Sequence, residues 1–235
     1  MPEPKDILGH IHGGRVLDVA TGAGGFIHFL LDGLQDYREI IGVDIKESAA
    51  TAFAEAFKDR PNIRFEAMDA LHLQFEDGSF DLVSISNSLH HFEDPRAVLG
   101  ETLRVLRPGG TLLVAEMYCD GQSETQMTHV HLHHWWGAVD RLGGTVHRET
   151  FRREQLVEMV AGTGLAGTVL HDLSDPESDP RDPALVQELE PVFERYLQRA
   201  EGHPELQERG AELRRRVEEI GFHSATTLVM LGMKS

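Results

Sequence analysis

The chain has 235 residues, enough for one or two domains and a sizeable core, and its 40% hydrophobic and 26% charged residues are those of an ordinary globular protein. Its 39 acidic and 22 basic groups leave a charge of −17, shared almost equally by the two halves, which disfavours duplex nucleic acid and membrane surfaces as partners. One cysteine, Cys119, excludes an intrachain disulfide and cysteine-based metal clusters; with no basic-then-apolar leader in MPEPKDILGH and no run of ~18 apolar residues, the expected location is cytoplasmic.

Apolar runs alternate with helical spacing through the first half. Residues 15–20 (RVLDVA) predict a buried strand, 21–25 a glycine-rich turn and 26–34 a helix. Residues 39–45 (EIIGVDI) predict a second strand. Ala50, Phe53, Ala54 and Phe57 then set a helix over 47–60 that Pro61 follows. Residues 63–69 and 80–87 predict strands three and four, 95–106 a helix, 107–110 (RPGG) a turn, and 111–117 (TLLVAEM) strand five. Strands separated by helix-length segments pair in parallel, and near-continuous apolar strands need cover on both faces. The fold class is a doubly wound α/β sheet.

The second half begins with a histidine-bearing helix over 123–142, then a helix over 153–162 and a sixth strand over 167–173. Residues 174–183 (SDPESDPRDP) form a polar, proline-punctuated loop. Two amphipathic helices follow, with stripes through Leu185, Leu189, Val192, Phe193, Tyr196 and Ala200, and through Leu206, Leu213, Val217 and Ile220. Residues 225–233 (ATTLVMLGM) predict the last strand. The whole chain, 1–235, is taken as one domain.

Chemistry concentrates at the first strand-to-helix turn, Asp18-Val19-Ala20-Thr21-Gly22-Ala23-Gly24-Gly25. Glycine lets main-chain amides approach a ligand, and in an open parallel sheet this turn lies where ligands bind. Asp44 ends the second strand twenty residues after Gly24, where a carboxylate suits a ribose diol, and Asp69 repeats the arrangement after the third. A dinucleotide fingerprint wants a third glycine where Ile27 stands, and Asp18 before the glycines suits an ammonium better than a pyrophosphate.

The successive motifs VLDVATGAGG, GVDI, AMDA, FDLVSISNSLHHF and LRPGGTLLVAEM resemble those of class I S-adenosylmethionine-dependent methyltransferases, closest to the ubiquinone/menaquinone biosynthesis branch of small-molecule enzymes. The resemblance covers about residues 10–118. It implies a Rossmann-like seven-stranded sheet, mostly parallel with a reversed last strand. It implies S-adenosyl-L-methionine as cofactor, with Gly22 and Gly24 flanking the methionine moiety, Ala20 and Thr21 on its backbone path, and Asp18 orienting its ammonium. Asp44 would take the ribose hydroxyls, Ile45 the adenine face, Asp69 and Ala70 the adenine edge, and Asn87 the reactive methyl. Ala20 stands where the family commonly has glycine.

The acceptor is expected to be a small organic molecule. Asn87-Ser88-Leu89-His90 lacks the Asn-Pro-Pro-Tyr pattern of amide and adenine-amino methylation, and one cysteine disfavours cytosine-C5 and arsenite chemistry. His90 and His91 follow strand four, where an imidazole near neutrality removes a proton from the acceptor or merely caps a turn. His129 and His133 sit one helical turn apart, the spacing of a shared metal, but no Glu-x-x-His pattern completes such a site. The expectation is therefore that 123–150 is an acceptor-side segment in which His129 and His133 face the pocket without a tightly held metal. His147 adjoins it in sequence. The competing function is a non-catalytic regulator binding S-adenosylmethionine or a metal on the same fold. The family usually joins its last two strands by a tight hairpin, so 174–223 is an insertion. It is expected to pack beside the acceptor pocket and help close it, with dimerisation through the same face as the lesser role.

Overall fold

The computed structural model describes residues 3–175 and 177–235; Pro176 of the predicted loop, and Met1 and Pro2 of the opening segment, lie outside the described residues. A short helix α1 (Pro4–Leu8) precedes β1 (Arg15–Val19), α2 (Gly25–Gly33), β2 (Glu39–Asp44), α3 (Ala49–Ala56), β3 (Ile63–Ala67) and β4 (Phe80–Ser86). A single 3-10 turn, Leu89–His91, leads to α4 (Pro95–Val105), β5 (Leu106–Met117) and α5 (Glu124–Leu142). Then come α6 (Arg153–Ala161), β6 (Ala166–Leu173), α7 (Pro183–Arg199), α8 (Pro204–Glu219) and β7 (Thr227–Met233).

The seven strands form one sheet in the order β3-β2-β1-β4-β5-β7-β6. β1 to β5 pair in parallel, and β7 runs antiparallel to both β5 and β6, so only the last strand is reversed. The strand order reverses between β1 and β4, which opens a crevice at their carboxyl ends. Alternation along each strand feeds two cores. Leu17 and Val19 join Val98, Leu156 and Val160 of α4 and α6 on one face. Val16 joins Leu8, Ile27, Leu30 and Phe53 on the other.

Two predicted elements have boundaries that shift by more than two residues. β5 begins at Leu106, not Thr111, because the Arg107–Gly110 stretch is a bulge inside the strand; the register jumps between Phe80↔Leu106 and Leu82↔Thr111. α3 is shorter than its apolar spacing predicts, since Phe57 leaves the helical path to pack with Phe53 under the glycine turn. Helix α1 carries too few residues to show a period.

A third core joins α5 to the insertion. Leu132, Trp135 and Val139 of α5 meet Phe193 and Ala200 of α7 and its end, and Leu213 and Val217 of α8. The two stripes are thus covered within the chain. Trp135 Nε1 donates to the Leu206 carbonyl at 2.8 Å, and Gly210 packs so tightly that an added Cβ would meet the Trp135 ring at 2.4 Å.

Candidate functional site

The glycine turn is held open by backbone that ordinary residues resist. Ala20, Gly22 and Gly24 have φ of 55°, 51° and 86°. For alanine this region costs about 1–2 kcal/mol, which is the physical reason that glycine suits position 20. The turn is tied down from beneath: Thr21 N–H donates to the Val43 carbonyl at 2.9 Å and Gly22 N–H to Asp44 Oδ2 at 2.9 Å. A Cβ on Gly22 would meet nothing within 4 Å, so open space lies above it, whereas one on Gly24 would lie 2.3 Å from the Phe57 ring. Gly24→Ala is accordingly expected to cost about 2–4 kcal/mol, from the left-handed backbone and the displaced ring together, read as a lower urea midpoint.

A cleft of about 390 Å³ opens over this turn, lined by Asp18, Ala20, Thr21, Gly25, Phe26, Phe29, Ser86 and Asn87. Asp18 is 1% exposed; Oδ1 accepts from Ser84 Oγ and Oδ2 from Thr21 Oγ1, each at 2.7 Å. Burial raises this carboxyl to about 6 despite the two hydroxyl donors that favour its charged form. Asn87 has φ of 43°, its N–H donates to the Ala115 carbonyl at 2.8 Å, and its Oδ1 accepts from Met117 N–H at 3.1 Å. Ala20 and Asn87 are therefore strained residues at the ends of neighbouring strands β1 and β4.

The other expected cofactor residues stand at the ends of β2 and β3. Asp44 accepts Gly22 N–H on one oxygen and Lys46 N–H on the other, leaving lone pairs for further donors. Ile45 is 68% exposed, an apolar face without internal cover. Asp69 accepts from Leu71 N–H at 2.9 Å, while Ala70 is buried in the sheet core.

Beyond Asn87 the histidines converge from three elements. His90 is buried, and its Nδ1 meets Glu116 Oε1 at 2.8 Å. Glu116, fully buried in β5, also takes the N–H groups of Ser88 and Leu89 on Oε2 at 3.0 and 2.8 Å. His147, from the stretch between α5 and α6, is buried with Nδ1 2.7 Å from Asp140 Oδ2. His133 of α5 sits between them, its ring centroid 4.7 Å from that of His90 and 4.8 Å from that of His147. Burial, and secondarily these neighbouring rings, push His133 down to about 2. His91 is exposed, with its ring 4.2 Å from both His90 and His147.

His129 departs from its companion. Its Nδ1 accepts the Ala225 N–H at 2.9 Å and its ring packs on Phe222 at 5.0 Å, so this nitrogen is spent on joining α5 to the approach of β7. His129 and His133 remain neighbours, their ring centroids 6.3 Å apart, but the closer ring partners of His133 are His90 and His147, which come from other elements. Asp140 is shared further: Arg199 pairs with Oδ1 at 2.7 Å and Tyr196 Oη donates to Oδ2 at 3.3 Å, so α7 reaches the partner of His147.

Glu116, Asp140, Phe26 and Phe29 escaped the sequence reading. Glu116 had a signal, an acid within the apolar run TLLVAEM; a buried strand holds an acid only where donors meet it. Asp140 had none, since one acid near a helix end is ordinary. The lone Gly137 of α5 marked the contact in retrospect, for a Cβ there would lie 3.1 Å from the His147 carbonyl oxygen.

Residues 17–114 match the sequence model of a family described as a methyltransferase domain. Among curated proteins, a demethylmenaquinone methyltransferase of Beutenbergia cavernae is 43% identical over 111 residues, covering 47% of this chain and 44% of its own. The chain thus spans under half the length of that relative in the aligned part. The fold is shared more widely. The crystallised cyclase SpnF superposes with a TM-score of 0.62 at 20% identity, covering 98% of this chain and 78% of its own. A Haemonchus contortus phosphoethanolamine N-methyltransferase, in complex with phosphomonomethylethanolamine and S-adenosylhomocysteine, does so at 0.56 and 16% identity, covering 95% and 49%. A fold common to a cyclase and a methyltransferase does not by itself name a reaction.

Proposed function

We propose, from the match of residues 17–114 to a methyltransferase-domain family, that this chain transfers a methyl group from S-adenosylmethionine to a small organic acceptor. The observation that carries the reading is the cleft at the β1–β4 switch point, lined by Asp18, Ala20, Thr21, Gly25 and Asn87 beside the left-handed turn at Ala20, Gly22 and Gly24. The residues fit the cofactor: open space above Gly22, a buried carboxyl at Asp18 for an ammonium, and an uncovered apolar side chain at Ile45 for an adenine face. A neighbour crystallised with S-adenosylhomocysteine supports the same choice.

When bound, the cofactor supplies a methyl group already activated by its sulfonium, so the protein's tasks are alignment and proton management. Asp18 takes the ammonium directly or through water, and the glycine turn supplies main-chain contact to the methionine part. Asp44 uses its remaining lone pairs for the ribose hydroxyls, with Asp69 and Ala70 at the adenine edge. Asn87, held by the Met117 N–H, borders the methyl group. Proton removal from the acceptor falls to His91, whose ring is exposed, with the buried His90 packed behind it. His129 serves instead as a structural support.

Titration calorimetry with S-adenosylhomocysteine tests the cofactor reading, and methyl transfer from labelled cofactor to fractionated small-molecule extract tests the reaction. Asp44→Ala is expected to weaken cofactor binding about tenfold to hundredfold, since a hydrogen bond to a charged group contributes about 1.5–3 kcal/mol. Wild-type protein that binds neither S-adenosylmethionine nor S-adenosylhomocysteine overturns the proposal; unchanged affinity in Asp44→Ala overturns the placement of the ribose.

A further inference from the structure

We infer that His90, His133 and His147 form a binding site for one divalent transition metal ion of the zinc class. One ring nitrogen from each of the three lies within 4.8 Å of the others. His90 Nε2, His133 Nδ1 and His147 Nε2 are each buried and lack a hydrogen-bond partner among the described residues. A buried polar atom without a partner costs about 1–3 kcal/mol, and here three are gathered at one point.

The partners on the far side of two rings determine what these atoms are. Glu116 at His90 Nδ1 and Asp140 at His147 Nδ1 are acceptors, so both Nδ1 atoms carry the proton and both Nε2 atoms present lone pairs inward. An imidazole whose outer N–H is held by a carboxyl is the arrangement of metal-ligating histidines, since it fixes the tautomer and raises the ligand's basicity. With His133 Nδ1 unprotonated three lone pairs converge; a single water donates to at most two of them, whereas a cation takes all three at once. Tetrahedral ligands at about 2.0–2.1 Å from zinc stand about 3.4 Å apart, so closing the site from 4.8 Å needs ring movements of about 1 Å.

Three neutral nitrogen donors, with no thiolate and no oxygen ligand, select zinc, cobalt, nickel or ferrous iron over magnesium or calcium. Three protein ligands leave a fourth position for water or an acceptor heteroatom. The site follows Asn87 by three residues, which puts that position on the acceptor side in the methyl-transfer reading. The metal site itself rests only on the histidines and their carboxyl partners.

The test uses full-length protein without a histidine tag, stripped by chelator and dialysed, then titrated with Zn²⁺ and separately with Co²⁺. One equivalent per chain is expected, with the visible absorption of nitrogen-ligated cobalt and its loss on adding zinc. His90→Ala and His147→Ala should abolish stoichiometric binding, Asp140→Asn should weaken it about tenfold to hundredfold, and His10→Ala should leave it unchanged. Should an alanine variant fail to fold, zinc-soaked wild-type crystals decide, an anomalous peak being expected among the three nitrogens. Absence of a stoichiometric ion at micromolar concentration overturns the inference, as does binding that survives in folded His90→Ala and His147→Ala, or a peak elsewhere.

Discussion

Replacing Glu116 by alanine is expected to remove about 3–5 kcal/mol of folding stability, the largest single effect outside the hydrophobic cores. Glu116 lies fully buried in β5 and receives three donors: the N–H groups of Ser88 and Leu89, and Nδ1 of His90. Truncation leaves all three in a space that water does not reach, and each orphaned donor costs about 1–3 kcal/mol. The same change frees the turn carrying His90 and His91, so the histidine cluster loosens with it. Glu116→Gln separates the two consequences. Its carbonyl oxygen still serves the two backbone donors, which limits the loss to about 1–2 kcal/mol. Its amide, however, confronts the Nδ1–H of His90 with another donor. Relief comes when the proton moves to Nε2, which removes the inward lone pair. Urea denaturation should therefore rank wild type above Gln above Ala, with the Gln variant folded but impaired in metal binding. Equal midpoints for wild type and Ala would show that Glu116 is not the anchor of this turn.

Cofactor affinity is expected to fall as pH drops below about 6, through Asp18. Burial raises the folded-state carboxyl to about 6, from about 3.9 in the unfolded chain. Between these values the folded state binds a proton that the unfolded state does not. The stabilising contribution is thus complete below about pH 4 and is lost as pH rises through 6; it amounts to about 3 kcal/mol as an order of magnitude. At neutral pH the folded protein holds a desolvated carboxylate, strained in this sense until a cation meets it. An ammonium beside Asp18 favours the charged form, so binding below pH 6 must expel a proton and weakens up to about tenfold per unit. Asp18→Asn removes the titration. At pH 7 it should be as stable as wild type or more so, by about 1–3 kcal/mol, while binding S-adenosylhomocysteine at least about tenfold more weakly. Calorimetry between pH 5 and 8, in buffers of different ionisation enthalpy, measures both affinity and released protons. Affinity independent of pH down to 5, or an Asn variant that binds as wild type does, would remove Asp18 from the cofactor site.

Much of this molecule is written locally. Apolar runs such as Glu39–Asp44 and Phe80–Ser86 can be buried only as central strands, and helix-length segments between them force parallel pairing. Parallel pairing brings every strand's carboxyl end to one edge, so Asp18, Asp44, Asp69 and Asn87 were legible as neighbours from their positions at strand ends alone. The reversal of β7, and the standing of 174–223 as an insertion before it, came only from the family resemblance. What only the tertiary structure decided lies where distant segments meet on side chains and not on a repeating backbone ladder. No period links His90, His133 and His147, which are 43 and 14 residues apart in steps. Nor does any local rule join Glu116 to His90 or Asp140 to His147. The insertion's stripes announced that α7 and α8 must be covered, but not that α5 would cover them, since an amphipathic face specifies burial without specifying its partner. Helical spacing likewise put His129 beside His133, and the Ala225 N–H took its Nδ1 for packing. Local periodicity encodes which face turns inward; which residues then converge depends on the three-dimensional path of the whole chain.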